Sequence, residues 1–292
     1  MNRRQVVLLA ALALSTSAKS IFGATQPPRL RIGLTAVILA DQAAFLSRWS
    51  RYLEQRLQCP VSFVVRESYQ DVNDLLFANQ LDAAWICGYP YVLNQTRLKL
   101  LAVPLYQGKP LYRSYLIRPR GDAAKIRNWA DLRGKVLAYS DPLSNSGWLV
   151  AQSQLAANGI GARDLKRSFF THGHSHVAEA VAARLASAGS IDGYVWETMR
   201  LQGMAAAEQT EVAWQSDLYG FPPLVVHRSP SHPRTETLQQ ALLAMGADEE
   251  GRTLLNELNL DGFIAGEPAL FQSIRKLALI FTPGVQSRGG LS

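Results

Sequence analysis

Cysteine is scarce in this chain: 292 residues hold two, Cys59 and Cys87. That excludes a disulfide framework, although the pair could join in an oxidising compartment. Long apolar runs are missing as well. Residues 6–14 form a nine-residue stretch without a polar side chain, short of the ~20 that span a bilayer, and no later run is long enough either. There is no Gly-x-Ser-x-Gly elbow and no carboxylate pair marked out for acid–base work, so nothing in the pattern argues for an enzyme. Clustered basic charge is also lacking. Lys and Arg outnumber Asp and Glu 30 to 23, for a net charge of +7, but they are scattered along the chain. Such a balance favours small anionic partners and does not make a nucleic-acid footprint.

The start of the chain is basic, Met1-Asn2-Arg3-Arg4-Gln5, and its apolar run leads into Ser15-Thr16-Ser17-Ala18. This order predicts a cleavable secretory signal over residues 1–24, cut after Ala18 or nearer Ala24. The Arg3-Arg4 pair is compatible with the twin-arginine route. With no cysteine near these cleavage points, the usual lipoprotein anchor is absent. The expected mature chain is therefore exported and free of the membrane, and at about 100–200 residues per domain it is long enough for two domains.

From Leu30 extended and helical signals alternate. Leu30-Arg31-Ile32-Gly33-Leu34 reads as a strand, and Asp41 is placed to cap a helix whose Phe45, Trp49, Leu53 and Leu57 recur every four residues. Residues 61–65 read as a strand, Ser68 as the cap of a helix carrying Val72, Leu75 and Leu76, and residues 81–87 as a buried strand. This order predicts a mostly parallel sheet with helices on its faces. A second block follows Tyr112-Arg113-Ser114-Tyr115, with a short helix and turn over 128–135 and a strand over 136–139. Further on come a helix over about 146–158, a strand near Phe169-Phe170, a helix over about 174–188 and a strand near Tyr194-Val195-Trp196. After Val212 the chain is expected to cross back through Gly220-Phe221-Pro222-Pro223 into a strand over 224–226 and C-terminal helices around 238–245 and 254–258. Residues 25–115 and 215–292 would then build one lobe and 116–214 the other, with two crossings as the hinge. Ligands of open α/β sheets sit beyond the carboxyl ends of the strands, so the cleft between lobes is the expected site.

Three segments carry chemistry. Ser140-Asp141-Pro142-Leu143-Ser144-Asn145-Ser146-Gly147-Trp148 joins a strand to a helix, where free N–H groups and short hydroxyl side chains favour an anion. A single capping serine would explain only part of it. Cys87-Gly88-Tyr89-Pro90-Tyr91 is a second strand end entering a helix; Gly88 permits close backbone approach, and Tyr89 or Tyr91 is a phenolic donor or a packing residue. In His172-Gly173-His174-Ser175-His176 the spacing of two fits zinc if the segment is a strand. The alternative is a glycine turn at a helix start with one imidazole in the cleft. Neither the rest of the pattern nor its carboxylates point to a metal or a cofactor.

Taken in order, these motifs resemble the phosphate/phosphite/phosphonate (PhnD-like) family of periplasmic binding proteins, over roughly residues 30–281. The likeness rests on Glu67-Ser68-Tyr69, on Leu81-Asp82-Ala83-Ala84-Trp85 leading to Gly88-Tyr89-Pro90-Tyr91, and on Tyr112-Arg113-Ser114-Tyr115. It continues through Ser144-Asn145-Ser146-Gly147, His174-Ser175-His176 and Ile191-Asp192-Gly193-Tyr194-Val195, the last as the next strand. The resemblance implies an α/β, two-lobed periplasmic-binding-protein fold of type II-like form, with a hinge and an interlobe ligand cleft. It implies a non-enzyme that binds a small tetrahedral oxyanion and delivers it to an ABC transporter permease. Position by position, Tyr69 and a tyrosine of the Gly88 segment would reach the ligand from the first lobe. Ser144, Asn145 and Ser146 would hold its oxygens, and His176 would donate from the second lobe. Asn145 stands where the family has threonine, and Trp196-Glu197 where members that recognise an amino group keep acidic residues. In a related branch of the family, periplasmic arsenite sensors partner a membrane histidine kinase and depend on a cysteine. Cys87, at a helix start that can lower a thiol's pKa, is placed for that role or is simply a small buried residue.

Overall fold

The computed structural model describes residues 28–35, 42–122, 125–228 and 232–281. The expected leader and the Asp41 cap lie outside the described residues.

The first lobe begins β1 (Leu30–Leu34), α1 (Gln42–Leu57), β2 (Val61–Val65), α2 (Tyr69–Phe77), β3 (Ala83–Trp85), α3 (Gly88–Leu93) and β4 (Leu98–Leu105). The four-residue stripe of α1 does what its spacing predicts: Phe45, Trp49, Leu53 and Leu57 are buried, and Trp49 stacks on Phe63 of β2 at 4.8 Å. Ser68 caps α2, its Oγ accepting from the N–H of Gln70 at 3.1 Å and of Asp71 at 3.4 Å. Through β5 (Leu111–Tyr112) the chain passes to β6 (Ser114–Pro119), β7 (Val136–Tyr139), α4 (Val150–Ala157), β8 (Arg167–Phe170), α5 (His174–Ala182) and β9 (Ala188–Asp192). There follow α6 (Gly193–Leu201), α7 (Ala205–Glu208) and β10 (Thr210–Gln215). The return runs through β11 (Tyr219–Gly220) to β12 (Leu224–His227), α8 (Thr235–Leu243), α9 (Glu249–Glu257), β13 (Gly262–Ile264) and α10 (Gln272–Phe281).

Three sheets result, ordered β13-β4-β12-β3-β1-β2, β10-β6-β9-β7-β8 and, at the crossing, β11-β5. Both large sheets are mixed and not mostly parallel. In the first, β1 is parallel to β2 and β3, but β12 returns from the other sheet into the slot between β3 and β4 and runs antiparallel to both. In the second, β7 is parallel to β8 and β9, while β6 enters antiparallel to β9 and β10. A strand that arrives by crossing between lobes needs no crossover helix, so it is free to pair antiparallel.

Two local expectations are corrected. Residues 194–196 are the first turn of α6 and not a strand, because Asp192 turns its carboxylate back to accept from the N–H of Tyr194 at 2.9 Å and of Val195 at 3.4 Å. The helix expected to reach 188 stops at Ala182, and Arg184 follows in the left-handed region at φ 59°. Residues 188–192 are thereby released to form β9, between β6 and β7.

Candidate ligand-binding cleft

Strand ends of both lobes meet in one buried polar cluster. From the first lobe come Tyr69, which opens α2, and Cys87, which precedes α3; Tyr112 arrives on the crossing strand β5. From the second come residues 140–146 after β7, His174 at the start of α5, and Asp192 before α6. Contacts between lobes close the cluster. The Tyr69 N–H donates to Asp141 Oδ2 at 3.2 Å, and the Tyr69 hydroxyl lies 3.2 Å from His174 Nε2. The Asn145 N–H donates to Cys87 Sγ at 3.3 Å, and Asn145 Nδ2 donates to the Tyr112 hydroxyl at 3.0 Å.

The loop that carries Ser144 to Ser146 is shaped by its own residues. Ser144 Oγ accepts from the Gly147 N–H at 2.9 Å, and Asn145–Leu149 winds as a π-helical turn, with Leu149 N donating to Ser144 O at 3.0 Å. Such turns widen a helix and recur at functional sites. Gly147 is required there: a Cβ would sit 1.8 Å from Ser140 Oγ. The hydroxyls of Ser114 and Ser190 both donate to the Ser146 carbonyl at 2.7 Å and hold the turn against β6 and β9. Three buried polar atoms of this loop, Ser140 Oγ, Asn145 Oδ1 and Ser146 Oγ, have no hydrogen-bond partner among the described residues.

Charge in the cluster is suppressed. Burial pulls the His174 pKa down to about 3 and pushes Asp192 up to about 8, so both are neutral at pH 7. Burial also raises Asp141 and lifts Tyr69 and Tyr112 well above the ordinary phenol value. The Asp192 N–H donates to His174 Nδ1 at 3.1 Å, which places the ring proton on Nε2 and makes His174 the donor to Tyr69. Tyr69 thus receives a hydrogen bond from His174, and Tyr112 one from Asn145. The cluster contains no lysine or arginine. It can hold an anion through hydroxyls, amide and helix N-termini, which when buried are strong without being charged. It does not pair a nucleophile with a base, since both nitrogens of His174 are engaged.

Tyr69, Cys87, Ser144, Asn145 and Ser146 come together here, and the other candidates do not. His176 is exposed, with Nδ1 3.2 Å from the Thr171 carbonyl. Two residues of helix rotate a side chain by about 200°, so once α5 begins at His174 only that imidazole faces the cleft. The strand that would align three histidines for zinc is absent, with His172 left-handed at φ 55°, and among the described residues no group of His, Cys, Asp and Glu is arranged for a metal. Gly88 serves packing and not ligand approach, because a Cβ would meet Ile274 Cδ1 at 2.6 Å. Tyr91 packs edge-on against Phe271 at 4.8 Å, whereas Tyr89 stacks across the lobes on Trp148 at 6.1 Å. Trp196 donates from Nε1 to Thr210 Oγ1 at 2.9 Å, and Glu197 accepts from the hydroxyls of Tyr106 and Tyr115. Both line an outer groove of about 500 Å³ with Tyr106, Arg200, Asn259 and Asp261.

The thiol of Cys87 has a raised pKa and not the lowered one that a helix start favours. Burial pushes it up to about 11 although the N–H groups of Asn145 and Tyr89 donate to it, so it is the thiol and not a thiolate. Cys59 and Cys87 are both free and buried. Missed from the sequence were Tyr112, Ser140, Asp141, His174 and Asp192. All but Asp192 lie in polar or aromatic segments that carry a site signal, and the pattern around Asp192 reads as mid-strand.

An α/β chain whose two sheets present their strand ends to one enclosed polar cleft has the architecture of a two-lobed solute-binding protein. A family model described as "ABC transporter, phosphonate, periplasmic substrate-binding protein" matches residues 36–271, and the chain belongs to this family. Its members are substrate-binding components of transporters and not enzymes. A similar curated protein is the "Phosphate-import protein PhnD" of Mycolicibacterium smegmatis, 28% identical over 181 residues. That match covers 58% of this chain and 56% of the relative, so it spans little more than half of the relative's length. Among solved structures, a binding protein component of an ABC phosphonate transporter from Pseudomonas aeruginosa superposes with a TM-score of 0.79 at 22% identity, covering 87% of each chain. PhnD1 from Prochlorococcus marinus in complex with methylphosphonate gives 0.76 at 17% identity, covering 87% of this chain and 98% of that one. At these identities the likeness is one of fold.

Proposed function

We propose that the chain binds a small tetrahedral phosphorus oxyanion, a phosphonate, phosphite or phosphate, and delivers it to the permease of an ABC transporter after export to the periplasm. Residues 25–115 with 215–292 form one lobe and 116–214 the other, and they close by bending where β5 and β11 pair. In the closed cleft Tyr69, Tyr112, Ser140, Ser144, Asn145, Ser146 and His174 surround the anion. The observation that carries this reading is the set of unpartnered atoms on Ser140, Asn145 and Ser146. Leaving a polar group buried without a partner costs about 1–3 kcal/mol, and a tetrahedral oxyanion supplies several acceptors to the two hydroxyls at once. The unpartnered Asn145 Oδ1 is an acceptor, and it fits the P–OH of a singly protonated oxyanion.

Thermal unfolding in the presence of phosphate, phosphite and methylphosphonate, with sulfate as a control, tests this. A ligand of the folded state at a hundredfold excess over its Kd raises stability by about 2.7 kcal/mol. Absence of any shift with all three phosphorus anions refutes the reading.

A further inference from the structure

The walls of the cleft carry a second conclusion, resting on the oxyanion reading above. We infer that the closed site selects oxyanions whose remaining substituent is small and uncharged, namely hydrogen, hydroxyl or methyl, and excludes those with a longer chain or an ammonium end. Tyr69, Cys87, Tyr112, Asn145, Ser146, His174 and Asp192 are each at most 3% exposed, so the cluster has no open side. Its seams are direct contacts between lobes at 3.2 to 3.3 Å, Tyr69 to Asp141, Tyr69 to His174 and Asn145 to Cys87. A methylene cannot pass between atoms so close, so a longer substituent has to break these contacts and hold the lobes apart.

Charge selects in the same direction. An ammonium group needs an ionised carboxylate, and the two in the cluster, Asp192 and Asp141, are buried, disfavoured as anions by that burial, and turned toward backbone N–H groups. Asp192 accepts from Tyr194 N and Val195 N. Asp141 accepts from Tyr69 N and Leu143 N. Glu197 accepts from the hydroxyls of Tyr106 and Tyr115. The neighbouring groove of about 380 Å³ meets the cluster at Tyr112, and its charged lining is Lys109, Arg113 and Glu197. The two cations outnumber the one carboxylate, which Tyr106 and Tyr115 already hold, so the groove as a whole disfavours an ammonium end.

Calorimetry on the unaltered protein with phosphite, methylphosphonate, ethylphosphonate and 2-aminoethylphosphonate decides the matter. Phosphite and methylphosphonate are expected to bind, ethylphosphonate about 10–200-fold more weakly than methylphosphonate, and 2-aminoethylphosphonate more weakly still. Ethyl or aminoethyl binding within about threefold of methylphosphonate overturns the size and charge filter and leaves the oxyanion reading intact. Failure of all four to bind removes the oxyanion reading itself. Glu197→Gln adds an independent readout: a selective loss of 2-aminoethylphosphonate affinity in this variant makes Glu197 an ammonium receptor, and the filter is then wrong.

Discussion

Replacing Ser146 with alanine is expected to move ligand affinity and the stability of the free protein in ways that a merely structural serine does not. The hydroxyl is buried and, among the described residues, has no partner in good hydrogen-bond geometry, its one polar neighbour being the Tyr112 hydroxyl, so its removal costs the free protein little. The backbone carbonyl of residue 146, which receives the hydroxyls of Ser114 and Ser190, is unchanged and keeps the turn in place. Free-protein stability should therefore equal that of the parent or exceed it by up to about 1 kcal/mol, the low end of the cost of an unpartnered buried group. Binding loses a donor to a charged ligand, worth about 1.5–3 kcal/mol, which corresponds to an increase in Kd of about 10- to 150-fold. Ser144→Ala is the contrast. Its Oγ accepts from the Gly147 N–H as a helix cap, and its loss should cost about 1 kcal/mol of stability. Urea unfolding of the free proteins and calorimetry with methylphosphonate measure both quantities. The reasoning fails if Ser146→Ala destabilises the free protein by as much as Ser144→Ala and binds like the parent.

Gly147→Ala should destabilise the second lobe by about 1–3 kcal/mol, since the new Cβ would lie 1.8 Å from Ser140 Oγ; thermal melts check this, and an unchanged Tm contradicts it. Cys87→Ser should alter phosphorus-oxyanion binding by less than about threefold, because a serine oxygen also accepts from the Asn145 N–H that Cys87 Sγ receives. Tight arsenite binding that vanishes in this variant would instead assign the thiol a ligand role. Stability should also fall between pH 6.5 and 8. Asp192, with a folded pKa of about 8 against an ordinary 3.8, holds a proton that the unfolded chain has already released, so its contribution is lost as pH rises towards 8. His174, at about 3 against an ordinary 6.5, has the opposite sign and is nearly spent by pH 6.5. Across that window the net loss is about 1 kcal/mol, because the slope of 1.36 kcal/mol per pH unit for one proton halves as pH reaches the folded pKa and His174 gives a little back just above pH 6.5. Denaturation of parent and Asp192→Asn at the two pH values measures it, and an identical decline in the variant assigns the effect elsewhere.

The local signals that held were those decided by near neighbours. The apolar stripe of α1, the Ser68 cap and the three short polar residues before Gly147 each declare their element within a few positions. Where the sequence misled, a distant partner or a helical phase decided. His174 and His176 are equivalent in composition, and only the point at which α5 starts, after left-handed His172 and Gly173, selects which imidazole enters the cleft. Tyr112 gains its role from Asn145, 33 residues away, and Asp192 donates to His174, 18 residues away. The mixed sheets follow from β12 inserting between β3 and β4, a pairing of strands separated by the whole second lobe that no local pattern encodes. For Cys87 the helix start was visible and the degree of burial was not, and burial determined the direction of its pKa.

The most direct test of the central claim is a crystal structure of the protein with methylphosphonate. The account predicts the phosphonate oxygens within about 2.6–3.2 Å of the Tyr69 and Tyr112 hydroxyls, Ser140 Oγ and Ser146 Oγ, with the methyl group enclosed and His174 donating to Tyr69. A phosphonate seated in the outer groove beside Glu197 and Arg200, with the oxygens of Ser140 and Ser146 still unpartnered, would contradict it.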